Sequence, residues 1–192
     1  MTESMMETEL SDGRILIRPL CADDVDVVHE AVRDSVGEIA PWMSWCHEGY
    51  ARAETVAFIR SLEGTPGVEK DYSFAIIDAR TGEFLGSVGL NRIDRNYQMA
   101  NLGYWVRTSR TKRGVASAAA RLLARFGFRE LGLQRLEIVA ATTNLASQRA
   151  AEKAGATREG TLRKRLLIHG QPHDAVMYSL VAEDIEGNSL QF

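Results

Sequence analysis

Lys112, Arg113 and Gly114 stand at the junction between a β-type run, Gly103-Tyr104-Trp105-Val106, and an alanine-rich stretch that begins Val115-Ala116-Ser117. A strand that turns through glycine into a helix aims several backbone N–H groups, and the positive end of the helix dipole, at one spot. Such a spot binds anions, and Arg110, Lys112 and Arg113 add charge suited to a phosphate or pyrophosphate. The same residues would also serve as an ordinary strand-to-helix connection with solvated basic side chains. A second segment, from Asn144-Leu145-Ala146-Ser147 to Lys153-Ala154-Gly155-Ala156, narrows the choice.

Together the two segments resemble the GNAT superfamily of acetyl-coenzyme A-dependent N-acetyltransferases, nearest its Rim-type ribosomal-protein branch and small-molecule-modifying relatives. Thr111-Lys112-Arg113-Gly114-Val115-Ala116 is similar to the family's pyrophosphate loop: Gln or Arg, two residues, Gly, one residue, then Gly or Ala. Thr111 departs at a position where backbone amides do most of the binding. Asn101-Leu102-Gly103-Tyr104-Trp105 resembles the branch's preceding strand, and Asn144-x-x-Ser147 with Glu152-Lys153-Ala154-Gly155 resembles the second cofactor segment. The resemblance extends over residues 14–183.

The resemblance implies acetyl-CoA as co-substrate. Its pyrophosphate would lie on the amides from Arg110 to Ser117, with Trp105, Val106 and Thr108 along the pantetheine arm. An arm with amides can complete an open strand edge as a peptide does, which requires the strands ending near Val106 and Ala140 to part. Asn144 would bond the arm, Ser147 would lie near the sulfur, and Lys153 would reach toward the adenosine phosphates. Asn144 and Ser147 also fit an N-cap pair, and Lys153 an ordinary surface lysine. Trp42, Trp45 and Tyr97, with Met43, Tyr50 and Asn101, are candidates for the acceptor pocket, although Trp42 and Trp45 could equally be buried against the sheet.

Transfer requires orientation, a donor for the developing oxyanion (in the family a backbone N–H, here near Val106) and a route for the amine proton. Relatives often carry Glu where Asn101 stands, and the Rim-type acid of the last hairpin aligns with Leu166. Neither residue takes a proton at neutral pH. Glu159, Asp174, His169, His173 and Tyr178 remain as candidates, and the expected catalytic set is Ser147, Glu159 and Tyr178. An α-amine titrates at about 7.7–8.0 and lysine near about 10.4. Near pH ~7.2 deprotonation therefore costs about 1 kcal/mol for the first and about 4 kcal/mol for the second. A site without a strong base favours a protein N-terminus or another weakly basic amine.

These residues need a frame. Residues 14–20 alternate as a strand closed by Pro19, and Asp23 or Asp24 opens a helix with Val25, Val28 and Val32 on one side. Pro41-Trp42-Met43-Ser44-Trp45 reads as a loop, followed by a helix with Val56, Ile59 and Leu62 that ends near Gly64. Strands are expected over residues 72–78, 83–92, 101–106 and 136–140, with a closing hairpin over 160–168 and 175–181 around His169-Gly170-Gln171-Pro172. Ala116, Ala118, Ala119 and Ala120 would let their helix pack closely on the sheet, and Gly155 would end the helix capped by Asn144. The expected fold is α/β (α+β): a mixed, mostly antiparallel sheet splayed at the cofactor and flanked by helices.

At 192 residues, with 45% hydrophobic and 26% charged residues, the chain suits a single N-acetyltransferase domain over 1–192. Two cysteines, Cys21 and Cys46, give no disulfide framework, and with no apparent signal peptide a reduced cytoplasmic setting is expected. Cys46 lacks an adjacent base to activate it. The four histidines show no metal-ligand spacing, no run approaches a membrane span, and a net charge of −3 argues against nucleic acid as a bulk partner. The loop lacks the Gly-x-x-x-x-Gly-Lys-Ser/Thr pattern of P-loop nucleotidases. Expected partners are acetyl-CoA and an amine acceptor, with a homodimer as seen among relatives. Besides the protein N-terminus, a small-molecule amine (antibiotic, toxin or polyamine) and a non-catalytic acyl-CoA sensor are the alternative readings.

Overall fold

A computed structural model describes residues 8–62 and 71–186, whose eight strands form one sheet in the order β1-β2-β3-β4-β5-β6-β8-β7. The strands are β1 (Leu10–Ser11), β2 (Ile15–Pro19), β3 (Tyr72–Asp78), β4 (Phe84–Asp94), β5 (Met99–Val106), β6 (Arg135–Ala141), β7 (Thr157–Ile168) and β8 (Gln171–Leu180). The helices are α1 (Val25–Ile39), α2 (Arg52–Ser61), α3 (Val115–Arg129), α4 (Leu145–Ala154) and the short α5 (Ala182–Glu186). The expected end of the second helix near Gly64 lies outside the described residues. The sequence reading missed β1 and α5, each too short to show a periodicity.

Alternation assigns each strand residue to one of two faces. Phe74, Ile76, Leu90, Ala100 and Leu102 join the core beneath α3, whereas Ala75, Ile77, Phe84 and Trp105 face α1. On α3, Ala118, Ala119, Ala120 and Ala124 are buried, so the helix approaches the sheet closely while Leu123 and Phe126 fill the space around them. Phe126 meets Tyr72 and Phe74 edge-on, with ring centroids 5.7 and 5.3 Å apart.

Every strand pair is antiparallel except β5 with β6. Those two pair in parallel only at Met99↔Arg135, Ala100↔Leu136 and Asn101↔Glu137. Beyond that point β5 stays bonded to β4 as far as Gly86↔Val106, and β6 stays bonded to β8 as far as Ala141↔Ala175. Residues 102–106 and 138–141 thus leave facing edges unpaired with each other, and the sheet opens in a V.

Candidate active site

The loop after β5 closes one end of the V. A short 3-10 turn, Thr108–Arg110, leads to Lys112 (φ 62°) and Gly114 (φ 76°), both left-handed. Added at Gly114, a Cβ would meet nothing nearer than Ser117 Oγ at 3.8 Å, so backbone conformation rather than space calls for glycine here. The first α3 amide to find a backbone carbonyl is that of Ala118, donating to Gly114 O at 3.0 Å. The amides of Val115, Ala116 and Ser117 remain to point out of the helix end, as an anion requires. Ser117 Oγ donates to Gly114 O at 3.0 Å, which leaves its backbone N–H as the group it can offer.

Ion pairs fix this loop from behind. Arg110 donates twice to Glu83 Oε2, at 3.0 and 2.9 Å, so its guanidinium ties the loop to the β3–β4 turn instead of standing open as the sequence reading expected. Arg107 reaches Glu30 and Asp34 of α1 at 3.3 and 3.1 Å, and Thr108 N–H donates to the buried Ser35 hydroxyl at 3.0 Å. The Arg113 carbonyl accepts from Arg14 at 3.1 Å, while the side chains of Lys112 and Arg113 are exposed.

Across the V, Asn144 Oδ1 accepts from Ser147 N–H at 3.1 Å and caps α4, as the sequence suggested. A bond the sequence did not disclose crosses from the other wall. Tyr104 Oη donates to the Ser147 carbonyl at 2.9 Å and lies 3.3 Å from Ser147 Oγ. Burial pushes this phenol up to about 12, so it stays protonated throughout the neutral range. Lys153 lies in the last turn of α4, where its carbonyl accepts from Arg121 at 2.6 Å.

The opposite face of the sheet holds a cavity of about 510 Å³ between α1, α2 and strands β3–β5. Trp45, Met43 and Tyr50 line it, as does Trp105, whose ring packs at 6.2 Å from Trp45 and 5.9 Å from Phe84. The indole of Trp105 is therefore a wall of this cavity, and only its backbone lies along the V. Trp42 is half-buried outside the lining, and Tyr97, 76% exposed on the β4–β5 turn, also stands apart. Asn101 Nδ2 donates to Asn91 Oδ1 at 3.0 Å, and Asn91 faces the cavity. Phe58, Glu54 and Asp71 also line it, none of them singled out by the sequence. Glu54 is held by Ala51 N–H at 2.8 Å and His47 at 3.0 Å, which lower its affinity for protons.

Four of the five expected proton acceptors are engaged by other groups, and His173 stands half-buried on β8. Glu159 receives both terminal nitrogens of Arg135 at 2.6 Å and the Ser179 hydroxyl at 2.7 Å. The guanidinium holds its carboxyl down to about 2, too weak a base for an amine proton. Tyr178 is fully buried and donates to Glu152 of α4 at 3.1 Å. Asp174 accepts the Lys164 N–H at 2.8 Å, and His169 Nε2 lies 2.9 Å from the Ala40 carbonyl. Glu159 and Tyr178 are held in these ties, and Ser147, the third residue of the expected set, is half-buried against Tyr104 of β5. Cys46 is buried and its thiol pushed up by that burial, which suits a core residue. Among the described residues no helix is long and apolar enough to cross a membrane.

A helix start with outward amides, a capped second helix and two parted strands together border a cleft whose geometry suits a long ligand with an anionic end. Residues 14–157 match the Acetyltransferase (GNAT) domain family. The chain belongs to the GNAT acetyltransferases. This GNAT chain is 36% identical over 106 residues to YdaF of Bacillus subtilis, which carries the name of a ribosomal N-acetyltransferase. That match covers 55% of this chain and 58% of the relative. A Vibrio cholerae structure described as a ribosomal-protein-serine acetyltransferase is similar with a TM-score of 0.79 at 28% identity, over 92% of this chain and 99% of that one. A RimL structure, a ribosomal L7/L12 α-N-protein acetyltransferase in complex with coenzyme A, reaches a TM-score of 0.83 at 20% identity over 92% and 99%, a likeness of fold. The chain is thus an acyltransferase that uses acetyl-CoA to acetylate an amine.

Proposed function

We propose that the acceptor is the α-amine of a protein N-terminus. The observation that carries this is that Asn101, at the position where the Rim-type resemblance implies a Glu, is a neutral amide bonded to Asn91 of the cavity lining. Glu159 and Tyr178 are tied elsewhere, and of the two carboxylates on the cavity Glu54 is held by Ala51 N–H and His47, which leaves Asp71, made a weaker acid by burial, as the carboxylate at hand. So sparse a set favours an amine that is easily deprotonated, which costs an α-amine about 1 kcal/mol and a lysine about 4 kcal/mol near neutral pH. Relatives named for ribosomal-protein acetylation support the same reading.

Acetyl-CoA supplies the acetyl thioester. The amides of Val115, Ala116 and Ser117 grip the diphosphate, with Lys112 and Arg113 adding charge from the loop. Residues 102–106 of β5 offer unpaired backbone groups to the amides of the arm, and the Asn144 cap holds α4 on the other side. A β5 backbone N–H near Val106 stabilises the oxyanion, and the Ser147 hydroxyl, oriented by Tyr104, stands where the thiolate departs.

Purified protein with acetyl-CoA would be offered peptides with a free α-amine and one internal lysine, the same peptides blocked at the N-terminus, and small amines including spermidine. Thiol release gives the rate, and mass spectrometry locates the acetyl group. Acetyl at the α-amine, lost on blocking, is the expected result. Preference for lysine, turnover of the small amines alone, or cofactor binding without turnover would each overturn the proposal.

A further inference from the structure

We infer that the cavity between α1, α2 and the sheet receives the side chain of the acceptor's first residue and selects a large apolar one. This rests on the N-terminal reading above and adds a specificity to it. The walls carry Val28, Val32, Met43, Trp45, Phe58 and Trp105, and among the described residues no Lys, Arg or His lines the cavity. Serine or alanine would leave most of the roughly 510 Å³ unfilled, whereas leucine, methionine or phenylalanine would bury apolar surface there.

The floor also fits this use. Gly89 and Gly103 are partners in the β4–β5 ladder, so two adjacent floor positions carry no side chain. At Gly89 a Cβ would lie 2.9 Å from the Tyr72 carbonyl oxygen, which excludes it on backbone grounds. At Gly103 the nearest atom to an added Cβ is Asn101 Nδ2 at 3.9 Å, so space is left open there, directly beside the parted half of β5. An amine placed at β5 would therefore have its side chain directed over the glycines toward the aromatic walls. The carboxylates Glu54 and Asp71 line the same cavity, which opposes an acidic first residue.

The test is a peptide series differing only in the first residue: Leu, Met, Phe, Ala, Ser, Lys and Glu. Leu, Met and Phe should exceed Ala and Ser by about 10- to 100-fold in kcat/KM, with Glu lowest. Ala57, an exposed α2 residue on the cavity wall, supplies the second arm. Ala57→Phe should bring the Leu peptide down to the level of the Ala peptide, its fold checked by thermal unfolding. Equal rates for Leu and Ala in the wild type would overturn the inference, and so would Lys as the best first residue. Should no peptide be acetylated at all, the N-terminal reading itself falls, a result distinct from peptides acetylated without preference.

Discussion

Replacing Glu159 by glutamine separates a structural tie from a proton acceptor. The carboxylate is lowered from an ordinary 4.5 to about 2 by the Arg135 guanidinium, with the Ser179 hydroxyl helping. That difference corresponds to about 3.4 kcal/mol at about 1.36 kcal/mol for each pH unit. With 38% of the side chain exposed, solvent screening reduces it to about 1–1.5 kcal/mol. The change does not strand Arg135, whose Nε still donates to Glu137 at 3.1 Å. Because the folded-state carboxyl is the stronger acid, its contribution is complete above about 4.5 and fades as pH falls toward 2. Urea unfolding at pH 7, followed by circular dichroism, should show Glu159→Gln less stable by about 1–1.5 kcal/mol. The gap to the wild type should then close between about pH 4.5 and 2. Acetylation at pH 7 should stay within about twofold, since general bases contribute about 10²–10⁴. A gap that persists unchanged to the acid limit would refute the ion-pair account. A loss of rate above about 100-fold in a folded variant would return Glu159 to the chemistry.

Two further substitutions address the cleft. Gly114→Trp places a bulky residue at φ 76° before the α3 amides, so it should cost about 1–2 kcal/mol of stability and weaken acetyl-CoA binding at least about tenfold by calorimetry; unchanged affinity would move the diphosphate off this loop. Tyr104→Phe keeps the ring but removes both contacts to Ser147, so stability should fall by about 1–2 kcal/mol and kcat by about tenfold. Its rate profile should gain no new inflection below pH ~10, because the lost phenol titrates near about 12; an unaltered kcat would show that Ser147 needs no such anchor.

The elements proposed to hold the cofactor were legible in the sequence because their signals are local. A glycine at positive φ, an alanine-rich helix behind it and an Asn–Ser cap are each complete within a few residues, and the structure places them as the spacing suggested. The acceptor half was legible only in part. Trp45 and Tyr50, with Met43 beside them, were found because aromatic loop residues are conspicuous, but Phe58 and Asn91 join them from α2 and β4, and Asp71 from just before β3. Tyr97 has the same composition signal as Trp45, and only the β4–β5 turn, which points it into solvent, separates the two. The tie on Glu159 was not legible for a related reason: whether a carboxylate is a base depends on its neighbours, and Arg135 meets Glu159 across 24 residues of sequence. Tyr104 escaped notice because a tyrosine in a strand reads as core until its partner on α4, 43 residues on, is known. This asymmetry has a physical consequence. The amides and the capped helix proposed to hold the cofactor lie apart from the cavity on the other face, so Trp45, Ala57 and Phe58 can change without moving the loop at Gly114. On the proposed reading, acceptor choice would be set by side chains on α1, α2 and the 41–50 loop, and the chemistry would stay with β5, α3 and α4.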